Sequence, residues 1–308
     1  MKKNTKKIRN LTIGALSLLI LGKGIRLVKG EKFANSVISM HKQSEIHASN
    51  LVAHRGFSGM YPDNSYTSIT KAIELPCVSL IEIDVRLTND NTLVLHHDTT
   101  FNIDDLKVSI ASLDLSDIEE DLVINDFNLY NLNDLTSDDF LFLYKRYLDK
   151  FKTFNLIRLK NLIPYYMGST NKKLIIDIKT NKVDLTFMEE LDKILSSYKD
   201  RIYLQTDCYD FLIEMKYRYP DYEYLYIINS SKDLNKMNID ISGFTVKYTV
   251  FDKIKLNDDK LYFVYTINSR EKFLDLINSI NYNNNIYIIT DNPDYICGLE
   301  NIKVLEKR

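Results

Sequence analysis

Short apolar runs alternate with longer helical patterns from Leu51 to the end of the chain, and this alternation most constrains the fold. It predicts repeated βα units around a parallel sheet. The run at 93–97 follows the run at 80–86 too closely for a parallel crossover, so it predicts the return strand of a hairpin. The other apolar runs are the barrel-strand candidates 51–54, 80–86, 173–178, 202–206, 223–228, 242–247, 261–266 and 286–290.

Eight βα strands within residues 51–308 predict an α/β fold, a (β/α)8 TIM barrel. Active sites of such barrels lie at the C-terminal ends of the strands. The stretch 98–172 is longer than one crossover requires, and it carries helical patterning around 136–150 and 155–167. We expect this stretch to be an insertion over the barrel mouth, between the hairpin and the third barrel strand.

The first thirty residues differ in kind from the rest of the chain. Five basic residues within the first nine positions precede an apolar run from Leu11 to Gly22. This order is typical of an N-terminal membrane segment, and no small-residue cleavage site precedes residue 50. We therefore expect a single uncleaved anchor in residues 1–30 and a polar linker in residues 31–50, with a cleaved signal peptide and an interfacial amphipathic helix as the alternatives.

Charge and cysteine content exclude several classes of protein. The chain has 40 Lys and Arg against 42 Asp and Glu, a net charge of −2, so it lacks the basic field that holds nucleic acid. Nucleic acid is therefore not an expected partner. The cysteines Cys77, Cys208 and Cys297 lie too far apart for a zinc motif or a disulfide scaffold, and we expect buried thiols.

Acidic residues stand at alternate positions inside one of the apolar strands. Glu82 and Asp84 lie between apolar neighbours, so both carboxylates point to the same side of the strand. Two buried like charges require a compensating cation, which favours a divalent metal with oxygen ligands over the alternative of a solvent-facing strand. Asp177 and Lys179 add a carboxylate and a cation at the end of the next barrel strand.

Two histidines are also expected near these carboxylates. His54 follows the first apolar run, where it could instead be a structural residue. If the hairpin turn is centred on residues 89–91, His97 returns to the level of residues 82–84. Strand alternation turns the neighbouring His96 away from that side, and we expect it to be structural. The pattern thus predicts two imidazoles beside a metal site.

Six blocks of these residues, in order and with the usual gaps, resemble the glycerophosphodiester phosphodiesterase family over essentially all of 51–308. Asp63 and Asp177 stand where the family usually has Glu, and Tyr265 stands where it has Trp. The blocks are His54-Arg55-Gly56, Tyr61-Pro62-Asp63-Asn64-Ser65, Glu82-x-Asp84-Val85-x-x-Thr88-x-Asp90 with Val94-x-x-His97-Asp98, Asp177-x-Lys179, Val264-Tyr265-Thr266-Ile267-Asn268 and Ile289-Thr290-Asp291-Asn292-Pro293.

The resemblance implies metal-dependent hydrolysis of glycerophosphodiesters to an alcohol and sn-glycerol 3-phosphate. Two other readings remain open: phospholipase D-like hydrolysis of lysophospholipids at a membrane, and a non-catalytic barrel that binds glycerophosphoryl groups. The resemblance assigns roles to seven residues: His54 and His97 as the acid/base pair, Arg55 and Lys179 on the substrate phosphate, and Glu82, Asp84 and Asp177 on one Mg²⁺ or Ca²⁺ ion.

The expected partners are a small glycerophosphodiester or lysolipid substrate and a membrane. The N-terminal anchor would hold the protein there, with the catalytic domain of residues 51–308 on the extracytoplasmic side.

Overall fold

A closed barrel of parallel strands forms the centre of the molecule. The computed structural model describes residues 50–103, 106–115, 122–124, 154–279 and 285–306. The strands are β1 Leu51–Ala53, β2 Val78–Leu87, β3 Leu93–Leu95, β4 Thr100–Ile103, β5 Leu106–Ser109, β6 Leu122–Ile124, β7 Phe154–Leu156, β8 Lys173–Ile178, β9 Ile202–Thr206, β10 Glu223–Ile228, β11 Gly243–Lys247, β12 Leu261–Tyr265 and β13 Ile286–Thr290. The α-helices are α1 Tyr66–Ile73, α2 Leu159–Ser169, α3 Leu185–Leu195, α4 Tyr209–Arg218, α5 Tyr248–Phe251, α6 Arg270–Ser279 and α7 Pro293–Glu306.

The barrel contains β1, β2 and β8 to β13, and it closes because β1 pairs in parallel with both β2 and β13. This closure confirms the predicted (β/α)8 barrel. The strand β3 pairs antiparallel with β2, with Leu95 opposite Val85, so the predicted hairpin is also confirmed. Both faces of these strands are buried, so the strands are apolar along their whole length. The apolar runs of the sequence therefore predicted the positions of the strands closely.

One face of the strands fills the lower part of the barrel interior with apolar side chains. These side chains come from seven barrel strands: Val52, Leu80, Ile175, Tyr203, Leu225, Phe263 and Ile289. Alternate residues of a strand share a face, so the side chains two positions further along face the same interior, nearer the C-terminal end. His54, Glu82, Asp177 and Asp291 occupy such positions. The topology thus brings polar groups together above an apolar floor.

The stretch 98–172 is described only in part. The strand β4 pairs with β5, and β6 pairs with β7. The predicted helix at 155–167 is found as α2, but its predicted start was wrong because Phe154–Leu156 pairs as a strand with Leu122–Ile124. The helical pattern at 136–150 lies outside the described residues. The placement of this stretch over the barrel mouth stays a prediction.

Residues 1–49 lie outside the described residues, so the anchor at 1–30 and the linker at 31–50 also stay predictions. Among the residues that the structure does describe, no helix combines the length and the apolar character needed to cross a membrane.

Gly243, the first residue of β11, lies directly against β12. A Cβ atom there would lie 2.2 Å from the carbonyl oxygen of Leu261, its register partner. We expect Gly243→Ala to lower the free energy of unfolding by about 2 kcal/mol, because neither backbone can move without disturbing the sheet. Urea denaturation measures this loss. Gly168→Ala is the control, since nothing lies within 4 Å of its Cβ position; equal stability of the two variants would contradict the register.

Candidate active site

The chain makes a tight turn directly after β1. Arg55 and Gly56 both have positive φ angles, 54° and 78°. The amide of Arg55 donates to Glu82 Oε2 at 2.9 Å, and the amide of Gly56 donates to the carbonyl of Glu82 at 3.2 Å. A Cβ atom at Gly56 would lie 2.6 Å from the backbone carbon of Ser68, so the turn requires glycine. The turn fixes His54 and Arg55 beside β2.

Three carboxylates meet at the C-terminal ends of β2 and β8. The parallel register places Asp84 opposite Asp177, and Glu82 lies one strand repeat earlier on the same face. One oxygen from each of the three groups lies within 4.8 Å of the others. Their residues are at most 5% exposed, so the solvent-facing alternative is wrong.

Two cations surround Asp84. Lys179 Nζ lies 3.1 Å from Asp84 Oδ1 and 2.6 Å from Asp177 Oδ2. Arg55 Nε lies 3.0 Å from Asp84 Oδ2, and its Nη1 lies 3.0 Å from Asp63 Oδ2. Asp84 is therefore the centre of a buried charge network.

The carboxylates of this network differ in proton affinity. Burial opposes the charge on Asp84, but Lys179 and Arg55 outweigh it and hold the pKa of Asp84 well below its usual value. Burial raises the pKa of Asp177 to about 6, although Lys179 opposes the rise. Burial and then repulsion from Asp84 raise the pKa of Glu82 to about 8. Full ionisation of all three carboxylates would exceed the positive charge of Arg55 and Lys179, and the raised pKa of Glu82 reflects this.

The three carboxylates fit a divalent cation. They offer the hard oxygen ligands that Mg²⁺ and Ca²⁺ prefer. The raised pKa of Glu82 indicates that a further positive charge would favour its ionised form. Asp84 Oδ1 is buried, and among the described residues its partner is the Lys179 ammonium at 3.1 Å, in an ion pair without hydrogen-bond geometry. These groups can therefore act together as an oxygen-ligand set.

His54 is held by a carboxylate from the last barrel strand. Its Nδ1 lies 2.6 Å from Asp291 Oδ1, and its Nε2 lies 3.9 Å from Glu82 Oε2. Ser58 Oγ donates to Asp291 Oδ1 at 2.9 Å, and Asn268 Nδ2 donates to Asp291 Oδ2. Because Asp291 is fixed from two sides, it fixes the imidazole ring of His54 with Nε2 towards the carboxylates.

His97 follows β3 and lies two residues beyond the last ladder pair. Its Nδ1 lies 2.7 Å from Asp98 Oδ1, and its side chain is 36% exposed. His96 is 4% exposed, its Nε2 lies 3.2 Å from the Thr100 carbonyl, and its ring packs against Phe101. The expected orientation of His96 away from the carboxylates is confirmed, and His97 is the more exposed of the two histidines.

The two imidazoles have oppositely shifted pKa values. Burial and the Arg55 cation lower the pKa of His54, but attraction to Asp291 and Glu82 outweighs them, and the net shift is upward. Burial lowers the pKa of His97, and attraction to Asp84 does not fully offset this. His54 therefore holds its proton more tightly than His97 does.

Two residues that support the site are not identified by the sequence pattern. Asp291 orients His54, and Asn64 braces Asp84: its Nδ2 donates to Asp84 Oδ2 at 2.9 Å, and its Oδ1 accepts from the Asp84 amide at 2.9 Å. The contact between Asp291 and His54 could have been predicted from the barrel fold. Asp291 follows the last barrel strand and His54 follows the first, and a closed barrel makes these two strands neighbours.

The model of the glycerophosphoryl diester phosphodiesterase family matches residues 54–295 of the chain. The chain belongs to this family. This membership confirms the resemblance inferred from the sequence blocks.

One curated protein and several solved structures are also similar to this chain. The uncharacterized protein MG293 of Mycoplasma genitalium is 35% identical over 132 residues, which cover 42% of this chain and only 52% of that protein. A putative glycerophosphoryl diester phosphodiesterase from Silicibacter pomeroyi has a TM-score of 0.63 at 15% identity, covering 84% of this chain and 96% of its own. An Oleispira antarctica phosphodiesterase, solved in complex with the product sn-glycerol-3-phosphate, has a TM-score of 0.61 at 19% identity, covering 82% and 96%. These solved structures share the fold of this chain.

Proposed function

We propose that the protein is a metal-dependent phosphodiesterase that hydrolyses glycerophosphodiesters to an alcohol and sn-glycerol 3-phosphate. One observation carries the proposal: two imidazoles, three buried carboxylates and two cations converge on one barrel mouth. Family membership supports the reaction class, and the product named for the Oleispira antarctica structure supports the glycerol phosphate.

Arg55 and Lys179 suit the phosphate of such a substrate. A phosphodiester carries a negative charge that grows on its oxygens in the transition state, and fixed cations stabilise that charge. Both side chains are already fixed by the carboxylates around them. Little reorganisation would then be needed when substrate binds.

His54 and His97 would move the protons. In the net reaction, water adds to phosphorus, the phosphorus–oxygen bond to the alcohol breaks, and the alcohol leaves with a proton. One imidazole would remove the proton from the attacking oxygen, and the other would protonate the leaving alkoxide. Imidazole suits both tasks because its pKa lies near neutrality.

Glu82, Asp84 and Asp177 would hold one Mg²⁺ or Ca²⁺ ion. A bound divalent ion supplies positive charge where the phosphoryl oxygens gain negative charge. Lys179 contacts two of these carboxylates, so it links the ligand set to the phosphate position.

A substrate panel tests the proposal against the two other readings. Glycerophosphocholine and glycerophosphoethanolamine should be hydrolysed, and a lysophospholipid should be a poor substrate. Preferential turnover of the lysophospholipid would favour the phospholipase D-like reading. Binding of glycerophosphocholine without any turnover would favour the non-catalytic barrel, a reading that the arranged imidazole pair disfavours.

Asp291 provides a prediction about the orientation of His54. Asp291→Ala should lower kcat by about 10-fold or more and change KM less, because an imidazole with a free ring rotation spends less time in the productive geometry. The matched control is Asp294→Ala, three residues later in α7. Equal kcat values for the two variants would contradict the orienting role.

We also propose that residues 1–30 anchor the protein to a membrane, with the barrel on the extracytoplasmic side. The first barrel strand begins at Leu51, so a chain starting at Ser49 should fold and retain full activity. Cell fractionation should place the full chain in the membrane fraction and the shortened chain in the soluble fraction. Recovery of intact full-length protein in the soluble fraction would contradict the anchor.

A further inference from the structure

Arg86 is a charged residue of the barrel mouth to which the proposed mechanism gives no role. It lies on β2, two positions beyond Asp84, and therefore on the same side of the strand. In the sheet, β2 lies between β3 and β8. His97 follows β3 and Lys179 follows β8, so Arg86 lies between the two chain segments that carry these residues.

The guanidinium of Arg86 joins those two segments. Its Nε donates to the carbonyl oxygen of His97 at 2.8 Å, and its Nη2 donates to the same oxygen. Its Nη1 donates to the carbonyl oxygen of Lys179 at 3.3 Å. The rigid fork of arginine suits this bridge, because its donors point in fixed directions from one plane.

The His97 carbonyl lies just beyond the hydrogen bonds of the hairpin and is bound by Arg86. The last backbone hydrogen bond between the hairpin strands runs from the His96 amide to the Asp84 carbonyl, at 3.1 Å. Among the described residues, no backbone amide donates a hydrogen bond to the His97 carbonyl. This carbonyl accepts from the side chain of Arg86 instead. The backbone hydrogen bonds of the hairpin therefore end at His96, and the hydrogen bonds from the Arg86 side chain begin at the next residue, His97.

We infer that Arg86 is a positioning residue that fixes the backbone of His97 relative to that of Lys179. This inference rests on the proposed function, in which one residue transfers a proton and the other contacts the phosphate. A displacement of about 1 Å between reacting groups can cost about 10²-fold in rate. Arg86 acts through these two residues, since its hydrogen bonds go to their main chain.

The substitution Arg86→Lys separates a bridging role from a simple charge effect. Lysine keeps the positive charge but has no fork to reach both carbonyls. We expect kcat on glycerophosphocholine to fall by about 10-fold or more, with KM within about threefold of wild type. Hydrogen exchange of the amides at 96–98 should become at least about threefold faster, because the end of the hairpin opens more often.

Arg201→Lys is the matched control. The Arg201 guanidinium also binds main-chain carbonyls, those of Met167 at 3.2 Å and Lys172 at 3.1 Å, but these lie before β8, at the opposite end of the barrel. This variant should lower the melting temperature without changing kcat or the exchange of residues 96–98. If Arg86→Lys acted only through a general loss of packing, both variants would show the same changes in kcat and in hydrogen exchange at 96–98.

The outcomes distinguish failure of the inference from failure of the proposed function. Wild-type kcat and exchange rates in Arg86→Lys, with loss of activity in Arg86→Gln, would overturn the bridge and assign Arg86 a charge effect. Absence of turnover by the wild type would overturn the proposed function alone, because hydrogen exchange at 96–98 reports the bridge without any substrate. Unchanged exchange in Arg86→Lys would then overturn the inference as well.

Discussion

Replacing His54 or His97 by alanine should lower kcat on glycerophosphocholine by about 10²-fold or more, because each variant loses one of the two proton-transfer groups. Neither imidazole is part of the apolar core, so the melting temperature should change little. Steady-state kinetics of the two variants measure the effect. The double variant should lose less than the product of the two single losses, because the two residues act as a unit.

His96→Ala is the control for this prediction. The residue is adjacent to His97 in sequence but faces the Thr100 carbonyl and the Phe101 ring on the other side of the strand. Its loss should reduce stability and leave kcat near the wild-type value. An inactive His96→Ala variant beside an active His97→Ala variant would contradict the hairpin register on which the site is built.

Removal of divalent cations should lower activity by about 10³-fold, because several kcal/mol of transition-state stabilisation is lost with the metal. Dialysis against a chelator followed by assay measures this, and addition of Mg²⁺ or Ca²⁺ should restore activity. Asp84→Asn should remain inactive after either addition, since it removes the carboxylate at the centre of the charge network. Full activity after complete chelation would exclude the proposed metal.

Asp177 offers a finer variant of the same test. Asp177→Ala should raise the metal concentration needed for half-maximal activity, because one of three carboxylate ligands is lost. Asp177→Glu keeps the carboxylate and should retain activity. Identical metal titrations of wild type and Asp177→Ala would show that Asp177 is not a ligand.

The sequence predicted the structure best where a pattern of side chains is compatible with only one local structure. The apolar runs of the barrel are buried on both faces, so they located the strands to within about two residues. The alternation of Glu82 and Asp84 with apolar residues placed both carboxylates on one face. The length of the hairpin turn placed His97 beyond the last pair of the ladder, near the level of residues 82–84.

Contacts that depend on tertiary closure were not predicted. The contact between Asp291 and His54 requires the first and last barrel strands to be neighbours. The contact between Arg55 and Asp63 depends on a left-handed turn that the sequence pattern does not specify. The start of α2 was misplaced because the pairing partner of Phe154–Leu156 lies about 30 residues away, beyond the reach of local periodicity.

Product analysis of glycerophosphocholine turnover in heavy-oxygen water tests the proposed reaction most directly. Phosphorus NMR and mass spectrometry should identify sn-glycerol 3-phosphate carrying one heavy oxygen from the solvent, together with unlabelled choline. This result follows if water adds to phosphorus and the bond from phosphorus to the choline oxygen breaks. Formation of choline phosphate and glycerol, or no product from the metal-loaded wild-type protein, would contradict the proposed function.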